Sequence, residues 1–137
     1  MIHDIAKVDE FELNQSGSVN NYSLEGNLVG HLVKGAIIVD RYASLLGTPP
    51  DTTSLLEHMV LSHHGQPDFG AAVRPSLMEA EILSILDNMD AKLFELAEAL
   101  QKVNHGEFTN KLFALDNRKF YRSGLNDIKP TAYLFED

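Results

Sequence analysis

Cysteine is absent from the 137 residues, which excludes disulfides and thiolate metal sites and fits a reducing compartment. No run reaches the roughly 18 apolar residues that a spanning helix needs. The best candidate, LVGHLVKGAIIVDRYASLLG, is interrupted by His31, Lys34, Asp40 and Arg41. At the N-terminus no basic region precedes an apolar core, so no secretory signal is read there and a cytoplasmic setting without membrane contact is expected. Basic residues are scarce: 11 Lys and Arg against 20 Asp and Glu leave a net charge of −9. That balance argues against a broad basic face holding a nucleic acid duplex. One phosphate-bearing end is still bindable through a divalent cation, which inverts the local sign. Internal repeats, low-complexity runs and sustained alternation at strand period are also missing.

What is present reads as an all-α domain. Hydrophobic residues make up 44% and charged ones 23%, an ordinary globular balance in a chain of one-domain length. The polar stretch ELNQSGSVNNYSLEG reads as loop. From about Leu24 to Leu46, Leu28, Val29, Leu32, Val33, Ala36, Ile37, Ala43 and Leu46 recur at helical spacing. The segment GTPPD stops that helix, and Asp51 to Thr53 offer N-caps for a second, from about Ser54 to His63, closed by Gly65. Ser76 with Glu79 makes a capping box for a third helix, Leu77 to about Val103, whose length predicts a kink or break. The last thirty residues read as a short helix or irregular segment followed by a tail, which gives a domain over 1–125 and a C-terminal tail over 126–137.

Chemistry-bearing residues recur along these elements. Of the six histidines, His3 stands beside Asp4, His31 lies early in the first long helix and His63-His64 close the second. Asp87 and Asp90 share one face of the third. A mixed His/Asp shell suits a borderline or hard divalent ion with open positions for water and phosphate. Each piece also has a plain structural reading. A single His-Asp dipeptide is uninformative at this composition, and His63-His64 fit a helix C-terminus favouring imidazolium. Taken alone, His31 reads more readily as a partnered core histidine, and the two aspartates can be read as a solvated face. His58 and His105 fit no constellation and are read as structural or surface residues.

The order of the pieces carries more than any one of them. An HD dipeptide followed by Lys7, a lone helical His, His-His-Gly and a helical Asp resembles the HD superfamily of metal-dependent phosphohydrolases. Within it, LEGNLVGH, VLSHHGQPDFG, EAEILSILDNMDAK and FALDNRKFYR resemble successive blocks of the HD domain of YhaM-type 3′–5′ exoribonucleases, from about residue 2 to 122. The resemblance implies an HD-like helical bundle. It implies His3, Asp4 and Asp87 as metal ligands, with Asp90 ranked behind Asp87. It implies His31, His63 and His64 as completing a second metal site or contacting the phosphate, and Lys7 as neutralising a phosphate oxygen. The implied cofactor is a divalent metal, Mn²⁺ foremost, with Mg²⁺, Fe²⁺, Zn²⁺ or Co²⁺ as alternatives.

Two departures concern loop shape: Ala6 stands where the family has glycine, and FGAAV where it commonly has FGSPV. A third is larger. The family carries a further metal-ligating histidine, and an OB-type domain, upstream of the HD pair. The sequence is therefore expected to lack the N-terminal helices of its bundle, and to self-associate through the apolar surface they leave. Three functions are carried forward. The first is a phosphodiesterase acting on the 3′ ends of single-stranded RNA or DNA, with Arg118, Lys119 and Arg122 beside aromatics gripping the strand. The second is a hydrolase of nucleotides or other small phosphate esters. The third is a non-catalytic helical interaction module.

Overall fold

The computed structural model describes residues 2–124, and they are mostly helical. A 3-10 turn at Ile2–Asp4 leads into α1, Lys7–Glu10. A hairpin follows, β1 Phe11–Leu13 antiparallel to β2 Val19–Tyr22, with Phe11 opposite Tyr22 and Glu12 opposite Asn21. Then come α2 Leu24–Leu28, α3 Gly30–Leu46, α4 Pro50–Ser62 and α5 Met78–Gln101. Among the described residues no helix is long and apolar enough to cross a membrane. The chain divides into two compact units, Met1–Ile85 and Leu86–Asp137.

In the first unit the hairpin corrects the expectation of a plain loop. Its strands have three and four residues, and β2 is exposed throughout, so no buried face imposes a period of two. The Phe11 and Tyr22 rings meet edge to face at 4.9 Å. Asn14 closes the turn, its side-chain oxygen accepting the backbone N–H groups of Ser16 and Ser18, both at 3.0 Å.

The helix expected over 24–46 is two helices. Ser23 caps α2, its hydroxyl accepting the Gly26 N–H at 2.9 Å, and Gly30 then takes φ +73°. Only glycine adopts that left-handed conformation freely, and the turn re-aims the chain so that α3 begins immediately before His31. The second predicted helix starts earlier than Ser54, because Pro50 at its first position has the φ a helix needs and no N–H to orphan. The third runs 24 residues as one α-helix, without the expected break. Ser76 does not cap it: its N–H donates to His58 Nε2 at 2.9 Å and its hydroxyl to the Arg74 carbonyl at 3.3 Å. His58 is thus structural, as expected.

Helices α3 and α4 pack closely, because a Cβ at Gly35 would stand only 2.9 Å from Val60 Cγ1. Ala6, Val39, Ala43, Val60, Ala71, Ala80 and Leu83 are buried in this unit. Its largest fully buried side chain, however, is His63, with Ser62 beside it in sequence.

The second unit holds the remainder of α5 and the irregular chain after it, with Ala97, Thr109 and Leu115 buried. Isolated bridges pair Phe108 with Tyr121 and Leu112 with Arg118. A 3-10 turn at Phe113–Leu115 precedes Asp116 and Asn117, both left-handed (φ 58° and 56°). The tail over 126–137 lies outside the described residues.

Candidate metal centre

Three pieces of the first unit converge: the 3-10 turn with His3 and Asp4, the first turn of α3 with His31, and the end of α4 with His63 and His64. His63 is fully buried, and its Nδ1 lies 2.7 Å from the Val60 carbonyl oxygen. A carbonyl only accepts, so Nδ1 carries the proton and Nε2 of the neutral ring presents its lone pair. That lone pair stands 3.5 Å from Asp4 Oδ1. His31 repeats the pattern: Nδ1 lies 3.0 Å from Glu10 Oε1, and Nε2 is 3.6 Å from the same Asp4 Oδ1.

In the neutral tautomers that these Nδ1 bonds select, three acceptors face one another. Asp4 Oδ1, His31 Nε2 and His63 Nε2 are all buried and make no hydrogen bond. Such groups are costly unless something electropositive joins them. Ligand atoms of Asp4, His31, His63 and His64 all lie within 4.8 Å of one another, and the His64 ring is 4.3 Å from His63 and 5.1 Å from His31. An N/O donor set with neutral imidazoles braced by carbonyl and carboxylate acceptors fits a divalent cation.

Around this set, Asp4 Oδ2 accepts from Lys7 Nζ at 2.8 Å and lies 3.5 Å from His3 Nε2. Burial pushes the Asp4 carboxyl up, but the His63 imidazole, the Lys7 ammonium and His3 together outweigh it and hold the pKa well below the usual range. A depressed carboxyl stabilises the fold above its unfolded value of 3.8 and loses that contribution as pH falls toward the folded value. Lys7→Met should accordingly cost the metal-free protein below about 1 kcal/mol near neutrality, since both groups are partly exposed. That deficit should hold as pH drops through 4 and narrow only below about pH 3, as pH nears the depressed folded value. Urea titrations of both proteins at several pH values check this, and a deficit independent of pH would remove the ion pair as its cause.

The remaining candidates belong to the second unit. Asp87 and Asp90 lie on α5, Asp87 half-buried and Asp90 exposed. Arg118 is spent within its own turn: Nε donates to the Leu115 carbonyl at 3.0 Å, the guanidinium sits 5.1 Å from the Phe120 ring centre, and Asp116 is 3.5 Å away. Arg122 Nη1 donates to the Val103 carbonyl at 2.7 Å, and Lys119 is exposed. One residue escaped the reading of motifs. Glu10, buried against His31, is in sequence only one acid among Asp9, Glu10 and Glu12.

The HD domain family model matches residues 1–92, the segment that carries His3, Asp4, His31, His63, His64 and Asp87. Across 123 residues, 89% of its length, the chain is 42% identical to the 3′-5′ exoribonuclease YhaM of Bacillus licheniformis, covering 38% of that protein. Over the same share it is 43% identical to the YhaM exoribonuclease of a Geobacillus species, covering 37%, and 40% identical to that of Bacillus subtilis, covering 38%. The chain thus spans less than two-fifths of these relatives. No solved structure matches it significantly.

Proposed function

Because the chain belongs to the HD domain family, we propose that it is a metal-dependent phosphohydrolase domain acting on the 3′ ends of single-stranded RNA or DNA. The observation that carries this reading is the ring of buried polar atoms, Asp4 Oδ1, His31 Nε2 and His63 Nε2, gathered together yet making no hydrogen bond. Relatedness to the YhaM exoribonucleases supports the substrate. In this reading the ion is Mn²⁺ first, held by His3, Asp4 and Asp87 with His31, His63 and His64 completing the shell. When bound, it supplies Lewis acidity, polarising a phosphoryl oxygen and acidifying a water.

The chain's own groups then have defined tasks. Asp4 presents a carboxylate oxygen, and the bonds made by Nδ1 of His31 and His63 leave each Nε2 turned toward that oxygen. Lys7, beside Asp4 but partly exposed, is free to turn to a phosphate oxygen. Arg118, Lys119 and Arg122 are proposed to guide the strand, Lys119 the least committed of them to internal bonds. An RNA substrate places the reaction in the cytoplasm. Exposed Ile2, Val8, Leu24 and Leu28 support self-association.

Incubation of 5′-labelled single-stranded RNA with the Mn²⁺-loaded protein tests the substrate. Progressive shortening from the 3′ end with release of mononucleotides is expected. Turnover of a small phosphate ester but not of RNA would transfer the reading to a small-substrate hydrolase, which the acidic chain also suits. Bound Mn²⁺ without turnover of either would leave an interaction module.

A further inference from the structure

We propose that Glu10 is the positioning residue of this centre: its carboxylate fixes His31 in the Nδ1–H tautomer and so aims the Nε2 lone pair at the cation. The inference rests on the metal-site reading above and adds to it a residue outside every motif in the sequence.

Glu10 is buried, and a buried acid persists only among donors. Both donors on its Oε1 come from His31, the ring Nδ1 at 3.0 Å and the backbone N–H at 3.1 Å. That backbone N–H is available because α3 begins at Gly30, and the first N–H groups of a helix have no intrahelical acceptor. One oxygen thus clamps the main chain and the ring of the same residue, which leaves the imidazole little room to rotate.

The clamp is itself held. The Glu10 carbonyl accepts the Ser23 N–H at 2.9 Å, and the Ser23 hydroxyl donates to the Asp9 carbonyl at 2.7 Å. Helix α2 approaches so closely that a Cβ on Gly26 would collide with the Glu10 carbonyl oxygen and stand 3.0 Å from its Cγ.

Two tautomers of His31 compete. With the proton on Nε2, the ring would donate toward Asp4 Oδ1, satisfy that orphan and cease to be a ligand. With the proton on Nδ1, it bonds Glu10 and leaves both Nε2 and Oδ1 open to a cation. Glu10 decides between a self-satisfied cluster and a ligating one, the role that carboxylates play behind metal-binding histidines.

The test begins without metal. In ¹⁵N-histidine-labelled apoprotein at pH 8, long-range ¹H–¹⁵N correlations, assigned with His31→Ala, should show His31 protonated at Nδ1 and bare at Nε2. Glu10→Gln keeps an oxygen to accept that proton and should preserve the tautomer, with Mn²⁺ affinity, read by EPR of the free ion, within about tenfold of the parent. Glu10→Leu should move the proton to Nε2 and weaken Mn²⁺ binding by about ten- to a hundredfold. A parent His31 protonated at Nε2, or at both nitrogens, overturns the proposal even if the Leu variant fails to fold. So does a folded Glu10→Leu with unchanged tautomer and affinity. A parent that binds no Mn²⁺ overturns the metal-site reading instead, while the tautomer assignment stands or falls on the apoprotein spectrum alone.

Discussion

Asp4→Asn is expected to abolish metal binding while changing the stability of the metal-free protein by less than about 1 kcal/mol. The two halves have one cause. In the parent, Asp4 Oδ1 faces the lone pairs of His31 and His63 at 3.6 and 3.5 Å with nothing to share. An amide NH₂ in that place supplies the missing donor, a gain of about 1 kcal/mol that offsets the ion pair lost with Lys7, from whose ammonium the amide oxygen can still accept. The same NH₂ removes the anionic ligand and points hydrogens at the spot where a cation would sit. At a Mn²⁺ concentration a hundred times its dissociation constant, the parent should gain about 2.7 kcal/mol, and the variant nothing. Any metal-dependent hydrolysis should fall at least about a thousandfold, the equivalent of the several kcal/mol that Lewis-acid stabilisation contributes. Thermal melts with and without Mn²⁺ read both effects in one experiment. A large loss of stability in the metal-free variant would mean the carboxylate is a structural brace. A retained Mn²⁺ shift would place the ion away from Oδ1.

The legible parts of this protein are those in which one side chain's chemistry declares itself at a fixed spacing. Helices α3, α4 and α5 show in the apolar period, and the histidines of the centre show in their order along the chain. What escaped lies in contacts between segments. The split between α2 and α3 turns on Gly30, and nothing in NLVGHLVKG distinguishes a glycine that breaks a helix from Gly35, which sits inside one. The hairpin is too short and too exposed for its strands to alternate. Glu10 is hidden for a related reason. Its partner is partly a backbone N–H created by the turn at Gly30, and backbone donors have no letter in the sequence. The cationic segment after α5 shows the opposite error of emphasis: Arg118, Lys119 and Arg122 read alike, yet Arg118 and Arg122 bond to carbonyls of their own unit.

Gly26→Ala sets two principles against each other, and the structure decides between them. By helix propensity alone, alanine within α2 should stabilise by about 1 kcal/mol. The added methyl, however, would occupy the space of the Glu10 carbonyl and lie 3.0 Å from both its carbon and its Cγ. Two of these three atoms are backbone, which cannot yield as a flexible side chain does, so α1 and α2 must separate. Overpacking of this kind outweighs propensity, and a net loss of about 2 kcal/mol is expected, a drop in Tm on the order of 10 °C. Gly47→Ala is the control. Its φ of +66° at the end of α3 strains any side chain, but no atom lies within 4 Å of the new Cβ, so about 1 kcal/mol should be lost. The two variants should part further in metal affinity. Separating α1 from α2 loosens Glu10 and with it the His31 ring, so Gly26→Ala should weaken Mn²⁺ binding by roughly tenfold, whereas Gly47→Ala should leave it unchanged. If Gly26→Ala instead melts above the parent, the spacing of α1 and α2 yields freely, and the clamp on His31 is softer than its geometry implies.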